Sequence, residues 1–201
     1  MKRLQLVVLV IVSATAACLF SAGCRSDSSG EIDSRGGLLV NPAFERGVDG
    51  VIMSWAFNQH AGERSYRFDI DAGTLIIERV GPEPWGQAIQ MLSAAGLAGR
   101  TLEFSAEISG AFSDQSGAPL SPTGVGVRIN GRRPGLPAAL DDAILSTRHG
   151  APAIGVGDHG WTVQRVVFEV PDTATEIQLS LQLTLDGTLR VRNPRLIPVT
   201  L

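Results

Sequence analysis

The chain has 201 residues, of which 44% are hydrophobic, 5% aromatic and 18% charged, with a formal net charge of −3. This balance excludes a disordered acidic tail, a polytopic membrane protein and a collagen-like fibre, and without a basic field nucleic acid is not an expected partner. Twenty-three glycines and eleven prolines beside few aromatic rings suit a turn-rich β protein better than a helical bundle.

Met1-Lys2-Arg3 is a short basic start, and Leu4 to Phe20 is almost continuously apolar, about the length of an export-signal core. The run ends Leu19-Phe20-Ser21-Ala22-Gly23-Cys24 and turns polar at once. It resembles the bacterial lipoprotein signal, in which small residues precede a cysteine that is acylated and becomes N-terminal. Ala22 and Gly23 fit that signal, whereas Ser21 stands where leucine is usual. Thr15-Ala16-Ala17-Cys18 is a weaker second site, and an ordinary secretory signal or an N-terminal membrane anchor is the competing reading. The resemblance implies that residues 1–23 are a signal peptide and that Cys24 carries the lipid. The protein would then be exported and lipid-anchored in the cell envelope, at the outer membrane because Arg25 rather than Asp follows the cysteine. Removing 23 residues leaves 178 with one cysteine, so no intrachain disulfide is expected. All fifteen remaining basic residues are arginines, set against twenty acidic ones, a net charge of −5. Residues 24–37 are polar and read as a flexible tether reaching on the order of 20 Å.

From Leu38 onward apolar residues recur with a period of two. Leu75-Ile76-Ile77 is a short apolar run. Thr101 to Ile108 sets Leu102, Phe104, Ala106 and Ile108 on one face against Thr, Glu, Ser and Glu. Val125, Val127 and Ile129 alternate with Gly126, Arg128 and Asn130, and Thr162 to Val170 sends Val166, Phe168 and Val170 inward. Glu176 to Leu185 carries five alternating aliphatics, and Thr188 to Arg192 completes at least six strands. Strict alternation is what antiparallel sheets buried on one side produce. Gln87 to Leu92 and Asp141 to Leu145 are short helical candidates. Gly131 to Gly160 breaks the pattern and reads as a long loop, functional or mobile, with Ser113 to Thr123 a shorter insertion of the same kind. Residues 38–201 are therefore expected to form one all-β domain, a two-layer antiparallel β-sandwich.

Several landmarks then fall in order. Leu39-Val40-Asn41-Pro42-Ala43-Phe44-Glu45, Gly47 and Trp55 resemble the opening of carbohydrate-binding modules of the galactose-binding-like, jelly-roll type. Pro84-Trp85-Gly86-Gln87-Ala88-Ile89-Gln90 is similar to the family's strand that carries a Trp and amides near the sugar cleft. Leu97 to Ala106, Trp161, Val170-Pro171 and Ile177 to Leu196 are similar to its later strands. The resemblance implies a jelly roll, carbohydrate as ligand, and a calcium ion between Glu45 and the closing strand. That strand reads Val191-Arg192-Asn193-Pro194-Arg195, with Asn193 where the family carries Asp. Calcium wants six to eight oxygens, several of them charged, so no cofactor is expected.

Catalytic patterns are lacking. There is no Gly-x-Ser-x-Gly elbow, His60, His149 and His159 stand apart, and Glu103 and Glu107 would lie about 13 Å apart along a strand, too far for a carboxylate pair. An enzyme is not expected. Binding is, because sugars are held by aromatic rings and planar hydrogen-bonding side chains. Trp85, beside Gln87 and Gln90, is the stacking candidate; Trp55 and Trp161 are read as core or sheet-edge packing, and Arg64 and Tyr66 as weaker contacts. Glu103, Ser105, Glu107, Arg128, Asn130, Gln178, Ser180, Gln182, Arg190 and Arg192 all point away from the inferred core. If their strands are neighbours they form a polar floor, from which Glu103, Arg128, Gln178 and Gln182 join the candidate binding set; an ordinary solvated face is the other reading. The expected function is a non-catalytic envelope lipoprotein that binds carbohydrate through a Trp-bearing cleft. The alternative is an assembly lipoprotein docking another envelope protein through the 131–160 loop.

Overall fold

A computed structural model describes residues 37–113, 123–132, 141–146 and 154–200. The signal peptide, Cys24, nearly all of the tether, and residues 133–140 and 147–153 of the expected loop lie outside these residues. The elements are β1 (Ala56–Gln59), β2 (Tyr66–Asp71), β3 (Thr74–Arg79), β4 (Gly86–Ser93), β5 (Thr101–Ser113), β6 (Gly124–Arg132), β7 (Asp141–Ser146), β8 (Gly157–Glu169), β9 (Ala174–Leu183) and β10 (Asp186–Pro198). No helix occurs among the described residues. They form two five-stranded antiparallel sheets, ordered β1-β4-β9-β6-β7 and β2-β3-β10-β5-β8. All but two of the connections, β2–β3 and β6–β7, cross from one sheet to the other, the winding of a jelly roll.

Period-two alternation accounts for the layers. Leu102, Phe104, Ala106 and Ile108 on β5 are all buried, and they share one core with Ile177, Leu179, Leu181 and Leu183 of β9, none of which is exposed. Each such aliphatic contributes roughly 2 kcal/mol by leaving water. Val166, Phe168 and Val170 are buried as expected. Both helical candidates are strands instead: residues 87–92 lie in β4, and 141–145 lie in β7. Their sequences suit either period, and pairing of β4 with β1 and β9, and of β7 with β6, decides for the strand. The 131–160 segment is likewise interrupted by β7 and by the first residues of β8.

Two backbone irregularities lie on the second sheet. The β2–β3 turn closes on two residues, Ala72 and Gly73, at φ 46° and 75°, the left-handed pair that matches hairpin twist. On β10 the register with β5 slips between Arg192 and Arg195, with Asn193 at φ 50°. Pro194 sits inside this central strand, and a proline there is tolerated at such a bulge because it has no N–H to give the ladder.

Candidate functional site

The outer face of the first sheet collects four of the seven candidate binding residues. On β4, Ala88 and Gln90 are buried while Gln87, Ile89 and Met91 turn outward. Gln87 pairs with Gln182 of β9, and Met91 with Gln178. Across β9, Gln178 pairs with Arg128 of β6. Directly paired residues have side chains on the same face about 5 Å apart, so Gln87–Gln182 and Gln178–Arg128 are two polar rungs. Along β9 they are four residues, about 13 Å, apart. Between them one register row holds Ala56, Ile89, Ser180 and Gly126, small residues apart from Ile89. The result is a strip with a low middle and polar ends.

Trp85 stands at one end of the strip. Gly86 faces inward, where a Cβ would lie 2.3 Å from the Tyr66 ring, so alternation sends Trp85 to the outer side with Gln87. Its ring is half-buried and outside the core, edge-on to His60 at 6.0 Å and 80°. The His60 N–H donates to the Trp85 carbonyl at 3.1 Å, and Glu83 accepts from the His60 ring at 2.9 Å and from the Ala61 N–H at 3.0 Å. This entry to β4 rests on Tyr66, whose hydroxyl donates to the Glu83 carbonyl at 3.1 Å and whose pKa burial pushes up to about 12.

The side chains of Gln87, Gln178, Gln182 and Arg128 make no hydrogen bond or ion pair with any described residue, while all four retain solvent exposure. By contrast Asn130 and Glu176, further along the same face, use each other at 2.8 Å.

Two candidates fall elsewhere. Gln90 is only 2% exposed and points into the sandwich, where its Oε1 accepts from the Val40 N–H at 2.9 Å and its Nε2 donates to the carbonyls of Val40 at 2.7 Å and Ser54 at 3.3 Å. It ties the opening segment to β4 and is not a ligand residue. Glu103 is on β5, in the second sheet, facing solvent on the opposite side of the sandwich with Arg165 at 3.9 Å. The polar floor expected from the sequence is thus two floors back to back. Arg128, Asn130, Gln178, Ser180 and Gln182 lie on the first sheet; Glu103, Ser105, Glu107, Arg190 and Arg192 lie on the second.

Of the other tryptophans, Trp55 is core, 4% exposed, with its indole N–H donating to the Asn41 carbonyl at 3.0 Å and its ring 5.2 Å from Phe44. Trp161 lies on the edge strand β8 and is 41% exposed, so it is not core packing. The Arg192 guanidinium lies 4.1 Å from its ring centroid. Sequence reasoning missed this arrangement. The signal was present as a Trp on a strand whose other face already supplied the core residues.

The calcium pair does not fit that ion. No contact joins Glu45 and Asn193, the Asn193 amide donates to Glu107 at 2.8 Å, and no three His, Cys, Asp or Glu side chains converge among the described residues. Where the opening segment turns, the Asn41 amide donates to the Glu45 and Met53 carbonyls at 2.8 and 2.9 Å, so those oxygens already have a partner.

No family model and no curated protein matches the chain. Solved structures do. The enzymatically active domain of tailspike protein 4 of bacteriophage CBA120 aligns at 14% identity and a TM-score of 0.50, over 82% of this chain and 22% of that one. This chain therefore spans about a fifth of that protein's length. The C-terminal family 22 carbohydrate-binding module of Clostridium thermocellum Xyn10B aligns at 16% identity and a TM-score of 0.47, over 84% and 96% of the two chains. A CBM4 module aligns at 16% and 0.45, over 72% and 86%. At such identities a likeness is one of fold alone, and the jelly-roll β-sandwich architecture of this chain stands on its own strand order and crossings.

Proposed function

We propose that this chain is a non-catalytic carbohydrate-binding module, with the outer face of the first sheet as its binding surface. One observation carries the reading: Gln87, Gln178, Gln182 and Arg128 gather on one sheet face with their hydrogen-bonding ends unused by the described protein. A planar amide donates and accepts at once, which suits vicinal sugar hydroxyls, and Trp85 at the end of the strip offers a ring for a sugar's C–H face. The strip is read as binding without turnover, its one hydroxyl, Ser180, standing among Ala56, Ile89 and Gly126. The chain would be carried into the envelope by residues 1–23 and anchored through a lipid on Cys24, at the outer membrane, with residues 24–37 as the spacer.

Affinity electrophoresis of the full chain through gels holding neutral plant and bacterial polysaccharides tests the binding. Retardation by at least one polysaccharide is expected, weakened about tenfold in Trp85→Ala and in Gln178→Ala, the loss that follows from one good contact. Absence of retardation on every polysaccharide, or retardation in both variants unchanged from that of the unaltered chain, refutes it. Radiolabelled palmitate incorporation that survives Cys24→Ala refutes the anchor.

A further inference from the structure

The β10 bulge does more than accommodate a proline. Residues three apart on a regular strand face opposite ways, yet Arg192 pairs with Glu107 and Arg195 with Ser105, two positions apart on β5 and so on one face. The slipped register therefore turns both guanidiniums to the same side, about 7 Å apart along the strand. Beside them lies a cavity of about 540 Å³, bounded by the bulge, by the Ala72–Gly73 turn and by the opening segment that joins β10 where the Leu38 N–H donates to the Leu196 carbonyl at 2.8 Å. Its described lining includes Arg192, Asn193 and Arg195 and no carboxylate; Pro42, Ala43, Ala72 and Ile197 supply apolar wall.

The two arginines are held differently. Arg192 is braced: its Nε and Nη2 lie 2.8 Å from Glu107 Oε2, its guanidinium lies over Trp161 at 4.1 Å, and Asn193 donates to the other Glu107 oxygen at 2.8 Å. The Asn193 amide first, then Arg192, hold the Glu107 carboxyl below its ordinary range, so Glu107 is a fixed counter-charge at neutral pH. Arg195 is exposed and makes no hydrogen bond or close ion pair with any described residue, although its charge is felt at Glu107. Such a guanidinium fork, at the mouth of a cavity whose described lining holds no carboxylate, suits an anion.

We propose that this cavity binds a sugar acid, its carboxylate taken by Arg195 beside Arg192 and its ring lying against the Pro42 and Ile197 wall. The volume falls within the range of small-ligand sites, and the mixed lining suits a ring with both C–H and hydroxyl edges. The site lies on the second sheet and does not depend on the glycan face of the first.

Titration calorimetry of the full chain in detergent with galacturonate, galactose and inorganic phosphate tests it. Galacturonate binding is expected, weakening as salt rises, and falling about tenfold in Arg195→Ala. A fall of similar size is expected in Ala43→Trp, which fills the cavity and leaves both charges. Arg195→Ala removes an exposed side chain that makes no described hydrogen bond or close ion pair, its charge reaching Glu107 only through space, and should fold; circular dichroism checks both variants. Gln178→Ala is expected to leave galacturonate binding intact, so this site and the glycan face fail separately. No heat with galacturonate at millimolar concentration, unchanged binding in both variants, or galactose or phosphate binding as tightly, would overturn the assignment.

Discussion

Gln90 separates the structural role of an amide from a binding role. Gln90→Met keeps the unbranched length and the packing but deletes three hydrogen bonds at 2.9, 2.7 and 3.3 Å. A neutral hydrogen bond contributes about 1 kcal/mol net. The third is long, and Val40 is half exposed, so water reaches some of the groups left behind. The expected loss is thus about 2 to 3 kcal/mol rather than a larger desolvation cost. For a domain of this size each kcal/mol lowers Tm by about 2–4 °C, so Gln90→Met should melt about 5–10 °C lower. Scanning calorimetry measures the shift, and affinity electrophoresis below the transition should show retardation equal to that of the unaltered chain. Gln178→Ala should show the reverse, an unchanged Tm with lost retardation. If Gln90→Met melts with the parent, or loses retardation while folded, the strut assignment is wrong.

Tyr66 is the one tyrosine in the chain, so tyrosinate absorbance reports it alone. Its pKa is raised from 10.0 to about 12 by burial, so the stability it lends is whole below pH 10 and lost as pH rises toward 12; the absorbance should rise with unfolding in that window, and Tyr66→Phe should flatten the alkaline limb. Replacing Ala72, at φ 46° ahead of Gly73, by Asn should raise stability by about 0.5–1 kcal/mol in urea melts, since Asn-Gly is the favoured pair for this turn. Chelation with EDTA should leave Tm within about 1 °C, because neither Glu45 nor Asn193 belongs to an oxygen cage; a drop of several degrees would restore the calcium site.

Much of the sandwich was legible because alternation at period two reports burial directly. Leu102, Phe104, Ala106 and Ile108, and the alternate aliphatics from Ile177 to Leu185, read as buried positions, and they are. What alternation does not carry is the partner of a strand. Glu103 and Gln178 show the same outward pattern, yet one lies on β5 and the other on β9, in different sheets, because sheet order is set by long-range crossings. Gln87 and Gln90 fail for a second reason. Residues three apart share a face of a helix and take opposite faces of a strand, and an eight-residue segment fits both periods until its neighbours pair with it. Once β4 is a strand, only one of the two amides can face the ligand side.

The same parity argument explains why the last arginine of the closing strand was not legible. Counting from Arg192 in an unbroken strand turns Arg195 into the core, a position no unpaired guanidinium occupies without a large desolvation cost. The chain resolves that conflict at Asn193-Pro194. A proline cannot complete the ladder of a central strand, and Asn tolerates positive φ, so a bulge at this dipeptide restores Arg195 to solvent and leaves Leu196 fully buried. An Arg-Asn-Pro-Arg run with an aliphatic after it, inside an alternating segment, therefore carries its own register shift. Replacing Pro194 and Asn193 by residues that favour a regular strand would not simply straighten β10. It would force either Arg195 or Leu196 onto the wrong face, so the bulge and the paired guanidiniums stand or fall together.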